Sequence, residues 1–216
     1  MRVLAGPRVD LEAGSLALAV ARSLAGAEGT VRSLREVGVR NLARRLSASE
    51  VALLRKAMMG VAGNVVGYVC GGAGAARADD KREAAGRARR GRAGAEVPST
   101  VIAVTDHANL TWRSPLTGAN DDRVGPRFPS MTGIYDPGLV TERLKAAEGM
   151  IVVMPGIIAG VRDDEQLNAF EKAVAESLNV SAASSELVSV AIVAAHMGLR
   201  VAAVVVIAGP TAKGEG

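Results

Sequence analysis

The sequence predicts an α/β fold with a mixed, partly parallel twisted sheet flanked by helices, and three observations carry that expectation. Val101 to Thr105 and Met150 to Met154 are apolar, largely β-branched runs of strand length. Asp163 to Leu178 and Glu186 to Met197 read as helices, the first amphipathic and the second apolar nearly throughout. A further apolar run, Val201 to Ile207, follows the second helix after Gly198. Strands separated by helices favour parallel pairing, because a parallel crossover needs a connection of a dozen or more residues.

Along the chain, the first 46 residues mix Ala, Leu, Val and Arg with scattered glycine and predict only weak helical character. Ser47 to Gly60 is a sharper helix signal: Ser47 and Glu50 stand at capping-box spacing, Leu46 and Val51 at staple positions, and Gly60 where a helix would end. Val65 to Cys70 reads as a short buried strand that runs into a turn at Gly71, Gly72 and Gly74. The Ala/Gly/Arg segment 76–96 has too few large apolar groups to pack and is expected to be a solvated, disordered insertion. Asp106 and His107 end the Val101 strand, and a long polar stretch punctuated by Gly and Pro leads to Pro137. Pro155 and Gly156 are expected to stop the next strand. The helix from Asp163 would be capped by Asp163 with Gln166, and would bury Leu167, Phe170, Val174 and Leu178 on one face. The whole of 1–216 is read as a single domain.

Composition narrows the functional classes. At 216 residues and 49% hydrophobic, the chain can bury a core. Its net charge of +4 sits entirely in Arg77 to Arg92, which holds seven basic and three acidic residues. Nucleic acid is therefore not the leading partner, since a binding face would spread its basic residues over the folded body. An aromatic content of 2% also leaves almost no platform for stacking bases. Cys70, His107 and His196 are too few for a Cys/His zinc site, and no metal is expected. No apolar run approaches the ~20 residues of a membrane span. No secretory leader is recognisable at the N-terminus, so a cytoplasmic protein is expected.

Several residues could carry chemistry, each with a plainer alternative. The turn Val69-Cys70-Gly71-Gly72-Ala73-Gly74 could present backbone N–H groups to a phosphate or a planar base, or could simply begin a flexible linker. His107 beside Asp106 could act as an acid or base, or tie the strand end to its loop. His196 reads as a satisfied core histidine, and Cys70 as a small buried residue unless the glycine turn activates its thiol. A Walker loop is excluded, because no Gly-Lys-Ser/Thr is present.

The stretch 106–136 is the most specific. It contains Asp106-His107-Ala108-Asn109-Leu110, then Ser114-Pro115-Leu116-Thr117-Gly118-Ala119-Asn120-Asp121-Asp122, then Gly125-Pro126-Arg127-Phe128-Pro129, Met131 and Tyr135-Asp136. This resembles the trimeric purine nucleoside phosphorylases, the family that includes methylthioadenosine phosphorylase. Their pattern is Asp-His-Ile-Asn-Leu, Asn-Pro-Leu-x-Gly-x-Asn-Asp, Arg-Phe-Pro and Ala-Tyr-Asp. A second block, Met154-Pro155-Gly156 and Ala194-Ala195-His196-Met197-Gly198-Leu199-Arg200-Val201, is similar to the family's later strand and helix-to-strand passage. The resemblance covers about residues 97–208.

The resemblance implies a nucleoside phosphorylase-like fold and reversible phosphorolysis: phosphate attacks the anomeric carbon of a purine (deoxy)ribonucleoside, releasing base and (deoxy)ribose 1-phosphate. Phosphate is then a co-substrate, and no cofactor is expected. It further implies substrate contacts at Val69, Cys70 and Gly71, the counterpart of the family's Asn-Ala-Ala-Gly-Gly turn with its asparagine lost. Phe128 would reach the ribose pocket of a neighbouring subunit in a homotrimer. Other positions depart from the pattern. The purine-binding Phe-Glu falls on Ala159-Gly160, and the purine-binding Asn on Gly209. The Gly-Met-Ser falls on Ser184-Ser185-Glu186, so Glu186 puts a carboxylate where a serine hydroxyl meets phosphate. The N-terminal phosphate turn is not recognisable and the C-terminal helix is missing after Gly216, which implies a fold incomplete at both ends. No catalytic residue is assigned. Two functions stand: a phosphorylase homologue with full, reduced or lost activity, or an inactive scaffold of the same fold whose basic segment binds acidic partners.

Overall fold

The computed structural model describes residues 1–74, 99–145, 151–164 and 166–207. Seven strands form one mixed sheet: β1 (Arg2–Ala5), β2 (Thr30–Ser33), β3 (Val65–Gly74), β4 (Ser99–Asn109), β5 (Ile151–Gly160), β6 (Ala182–Ser184) and β7 (Arg200–Ile207). Among the described residues five α-helices flank it: α1 (Leu16–Ala25), α2 (Ala48–Met58), α3 (Pro137–Leu144), α4 (Ala169–Ser177) and α5 (Leu187–His196).

The period-two alternation of the strands decides which helix packs where. Val3, Val65, Val69, Val101 and Val204 face one side, against Val20 and Leu24 of α1 and Val140 and Leu144 of α3. Their chain neighbours Leu4, Val66, Tyr68, Ile102 and Val205 face the other, against Leu54 and Met58 of α2 and Leu187 and Val190 of α5. A smaller cluster under α4 joins Leu110, Ala159, Val161, Ala175, Val180 and Ala183.

Pairing is parallel for β1 with β2 and β3, β3 with β7, β4 with β5, and β5 with β6; β3 with β6 and β4 with β7 are antiparallel. The mixed, partly parallel sheet expected from sequence is therefore present. Because β3 pairs with both β6 and β7, the order β3, β6, β5, β4, β7 closes on itself, and β1 and β2 extend from it.

Several boundaries move. The supposed turn at Gly71 to Gly74 continues β3, since Gly71 and Gly72 pair with Val206 and Ile207 of β7 and Gly74 with Ala182 of β6. Gly72 is required there: a Cβ would come within 2.6 Å of the Ala183 carbonyl oxygen. Pro155 does not stop β5, which runs through it to Gly160; at Pro155 the strand is paired to β4 alone, an edge position a proline tolerates. The expected helix from Asp163 begins at Ala169 instead, capped by Asn168 and Glu171 in a reciprocal box. Asp163 accepts from the Gln166 N–H at 3.3 Å in the turn before the helix. Phe170 and Leu178 are exposed, so the buried face predicted for that helix is smaller. The first 46 residues hold β1, α1 and β2 where weak helix alone was expected. The basic segment 76–96 lies outside the described residues.

Candidate functional site

Three turns far apart in sequence meet at one side of the sheet. After β1, Gly6 donates its N–H to Val69 O of β3 at 2.8 Å, which brings Pro7 and Arg8 beside the middle of that strand. After β5, Val161 donates to Ser184 O at 3.2 Å and leads into Asp163 and Asp164. After β6, Ser185 and Glu186 turn into α5.

Their side chains interlock. The Arg8 guanidinium bonds both oxygens of Asp164, at 2.7 and 2.5 Å, and its backbone N–H donates to Glu186 Oε1 at 3.0 Å. Arg8 Nε lies 3.8 Å from the same oxygen. Ser185 Oγ donates to Asp164 Oδ1, Ser184 Oγ to the Gly71 carbonyl at 2.9 Å, and Tyr68 Oη to the Glu186 carbonyl at 3.3 Å. Asp164 is 3% exposed and Glu186 is 1% exposed, two carboxylates under one arginine whose own side chain is 45% exposed. Burial raises the Glu186 carboxyl above its ordinary range, partly offset by the Arg8 N–H and guanidinium and by the Gly71 N–H. A cleft of about 130 Å³ opens beside the cluster, lined by Arg8, Arg40, Asn41, Leu42, Ala43, Ser185 and Glu186.

The residues singled out from sequence separate into groups. Val69 and Cys70 are buried, and Gly71 is half-buried at the edge of the cluster. Burial pushes the Cys70 thiol well up, so Cys70 is the small buried residue of its plainer reading and not an activated nucleophile. Asp106 and His107 lie within β4, where Asp106 Oδ1 accepts the His107 N–H at 2.8 Å. His107 Nδ1 lies 2.7 Å from Tyr135 Oη, and the two rings meet edge to face. The pair ties strand to loop, as its plainer reading expects. Phe128 is 86% exposed on the loop, with the Arg127 guanidinium 5.7 Å from its ring centroid.

His196 is fully buried, with Nε2 3.0 Å from Asn120 Oδ1 and Nδ1 3.4 Å from Arg55. Nε2 then donates to Asn120, and Nδ1 accepts from the Arg55 guanidinium. It fixes the Pro115 to Asn120 segment above a cleft of about 470 Å³ that Arg44, Arg45 and Arg55 also line. Burial holds both histidines below their ordinary 6.5, and for His196 the Arg55 charge adds to it. Unfolded chain therefore takes up protons first on acidification. The histidine contribution to stability is whole above pH 6.5 and is lost as pH falls below it toward the depressed folded values. Melting temperature is expected to fall between about pH 7 and pH 5.5, and to fall less in His196→Gln. An equal slope in the variant would remove His196 from the account.

Arg8 and Asp164 were not legible as site residues in the sequence; the available signal was the short apolar run Val3 to Ala5 ending in Gly6-Pro7, a strand and turn. Among the described residues no cluster of three or more His, Cys, Asp or Glu could hold a metal ion. No helix among them is long and apolar enough to cross a membrane.

The family profile described as the phosphorylase superfamily matches residues 54–216, three quarters of the chain. The chain belongs to the phosphorylase superfamily. Among curated superfamily relatives, purine nucleoside phosphorylase 1 of Bacillus subtilis is 30% identical over 102 residues, covering 47% of this chain and 38% of that protein. Purine nucleoside phosphorylase of Mus musculus is 31% identical over 114 residues, covering 47% and 37%. The matched part thus spans under two fifths of the length of these curated relatives. Solved superfamily structures agree in fold. Isoform 2 of the Schistosoma mansoni purine nucleoside phosphorylase, in complex with cytosine and ribose-1-phosphate, matches with a TM-score of 0.58 at 22% identity, covering 79% of this chain and 56% of that one. A Schistosoma mansoni complex with inosine gives 0.59 at 16%, covering 81% and 59%. The family recognised in the loop pattern is borne out.

Proposed function

We propose that this chain binds purine (deoxy)ribonucleosides and carries out phosphorolysis at a reduced rate, yielding base and (deoxy)ribose 1-phosphate. In that reaction a phosphate oxygen bonds the anomeric carbon, the C–N glycosidic bond breaks, and the purine leaves with the electron pair and takes up a proton. The observation that carries this reading is the convergence of the Gly6–Arg8, Gly71 and Ser184–Glu186 turns in a superfamily fold. Such a convergence sets N–H donors and a guanidinium around one small volume. Substrate contacts are assigned to the middle of β3 at Val69, Cys70 and Gly71, and to Phe128. The exposed Phe128 ring supports a trimer in which it reaches a neighbouring subunit. The reduced rate follows from Glu186 and from Ala159-Gly160, where placed polar contacts to phosphate and purine would be needed.

Inosine and guanosine are expected to bind in calorimetry, and to release base slowly and only when phosphate is supplied. Neither binding nor base release with any common purine nucleoside would overturn the reading. That outcome would leave the inactive scaffold, which the buried Glu186 carboxylate favours.

A further inference from the structure

We infer that Glu186 is a built-in ligand: its carboxylate fills the anion cradle formed by the β1 turn and the middle of β3, and so competes with phosphate for it. The inference rests on the phosphorolytic reading above only for its choice of probe. Four observations support it.

The donors around Glu186 are of the kind that hold a free oxyanion. The Arg8 N–H and guanidinium lie 3.0 and 3.8 Å from Oε1, and the Gly71 N–H favours the ionised form of the same carboxyl. The side chain is 1% exposed, yet Oε2 has no hydrogen-bond partner. A carboxylate kept in the interior with one oxygen unsatisfied is costly, so its position is imposed by the volume it fills. The backbone is also fitted to it: a Cβ on Gly6 would lie 2.5 Å from Oε2, so the turn after β1 accepts only glycine while the carboxylate is in place. Finally, the cleft of about 130 Å³ has Glu186 in its wall, so shortening this side chain enlarges an existing opening instead of creating an isolated void.

A diffusing dianion would have to displace Glu186 or sit beside both it and Asp164, with one arginine between them. Like charges at such separation repel strongly in a buried site. Removing the carboxylate while keeping a hydroxyl lets the Arg8 and Gly71 N–H groups donate to a small tetrahedral oxyanion instead.

The test is titration of the full chain with inorganic phosphate alone, without nucleoside, followed by calorimetry and by melting in phosphate against chloride at equal ionic strength. Glu186→Ser is expected to bind phosphate at least about tenfold more tightly than the wild-type chain and to gain a phosphate-specific rise in melting temperature. Wild-type binding as tight as that of the variant would overturn the inference, as would a folded Glu186→Ser that binds no more tightly than wild type. Should Glu186→Ser not fold, Glu186→Gln decides: it removes the competing charge and keeps the length of the side chain, so phosphate is expected to bind more tightly than to the wild-type chain. A folded Glu186→Gln that binds phosphate no more tightly than wild type would then overturn the inference. Nucleoside binding does not enter this experiment, so failure of the proposed function is seen separately.

Discussion

Arg8→Ala is expected to destabilise the chain by about 3 kcal/mol or more at neutral pH, because it leaves two interior carboxylates facing one another without their cation. Asp164 loses both of its guanidinium bonds and Glu186 its nearest positive charge, while the Arg8 backbone N–H stays in place. The deficit has a pH signature. Burial already holds the Glu186 carboxyl above 4.5, so the folded chain keeps that proton to higher pH than the unfolded chain does. Stability from this group is present below 4.5 and declines as pH rises through the raised folded value. Without the guanidinium the decline becomes larger. The gap between Arg8→Ala and wild type, read from urea midpoints, is therefore expected to narrow as pH is lowered toward 4.5. A gap that widens on acidification would mean that the carboxylates are not held by Arg8. Arg8→Lys keeps the charge but cannot set one nitrogen on Asp164 and another beside Glu186, as Nη2 and Nε do, and should fall between the two.

Gly125→Ala is expected to cost about 3 kcal/mol, the upper end for overpacking. A Cβ there would overlap the carbonyl oxygen of His196 at the end of α5, and that atom is backbone, so it cannot swing aside. The same turn is held by Asn120, whose amide donates to the Gly125 carbonyl at 3.0 Å while its oxygen lies 3.0 Å from His196 Nε2. Displacing Gly125 therefore disturbs the buried histidine as well. For a chain of this size the loss corresponds to a fall of roughly 6–12 °C in melting temperature. Gly133→Ala on the same loop is the control: its φ of +69° strains alanine but nothing lies within 4 Å, so only about 1–2 kcal/mol is expected. If the two variants melt together, the loop does not rest on α5 as described.

How much could be read in advance depended on how local the cause was. The α2 capping box needs only Ser47 and Glu50, and the structure shows both halves of it. The end of α5 needs only Gly198, which adopts φ +68°. β1 and β2 escaped because four residues are too few for a period to show, and α1 because three of its five buried residues are alanine (Ala17, Ala21 and Ala25), a residue that marks neither face of a helix. Pro155 and Gly71 to Gly74 were read as breaks, since proline and glycine are turn formers in isolation. Their strand state is decided by β4, β6 and β7 pairing alongside them. At the site, Glu186 stood out through its place in a motif. Arg8 did not, because its partners Asp164 and Glu186 lie 156 and 178 residues away and no short pattern joins them.

The circular run of strands through β3, β6, β5, β4 and β7 has a colloidal consequence. A sheet that closes on itself leaves few open rows of backbone donors and acceptors for another chain to zip onto; among the described strands they include the outer side of β2 and the stretch of β5 from Ile151 to Ile157, which pairs with β4 alone. Thr30–Ser33 is only four residues long and carries Arg32. A short, charged edge and an edge interrupted by Pro155 both resist templated growth, so self-association by strand addition is held off at each.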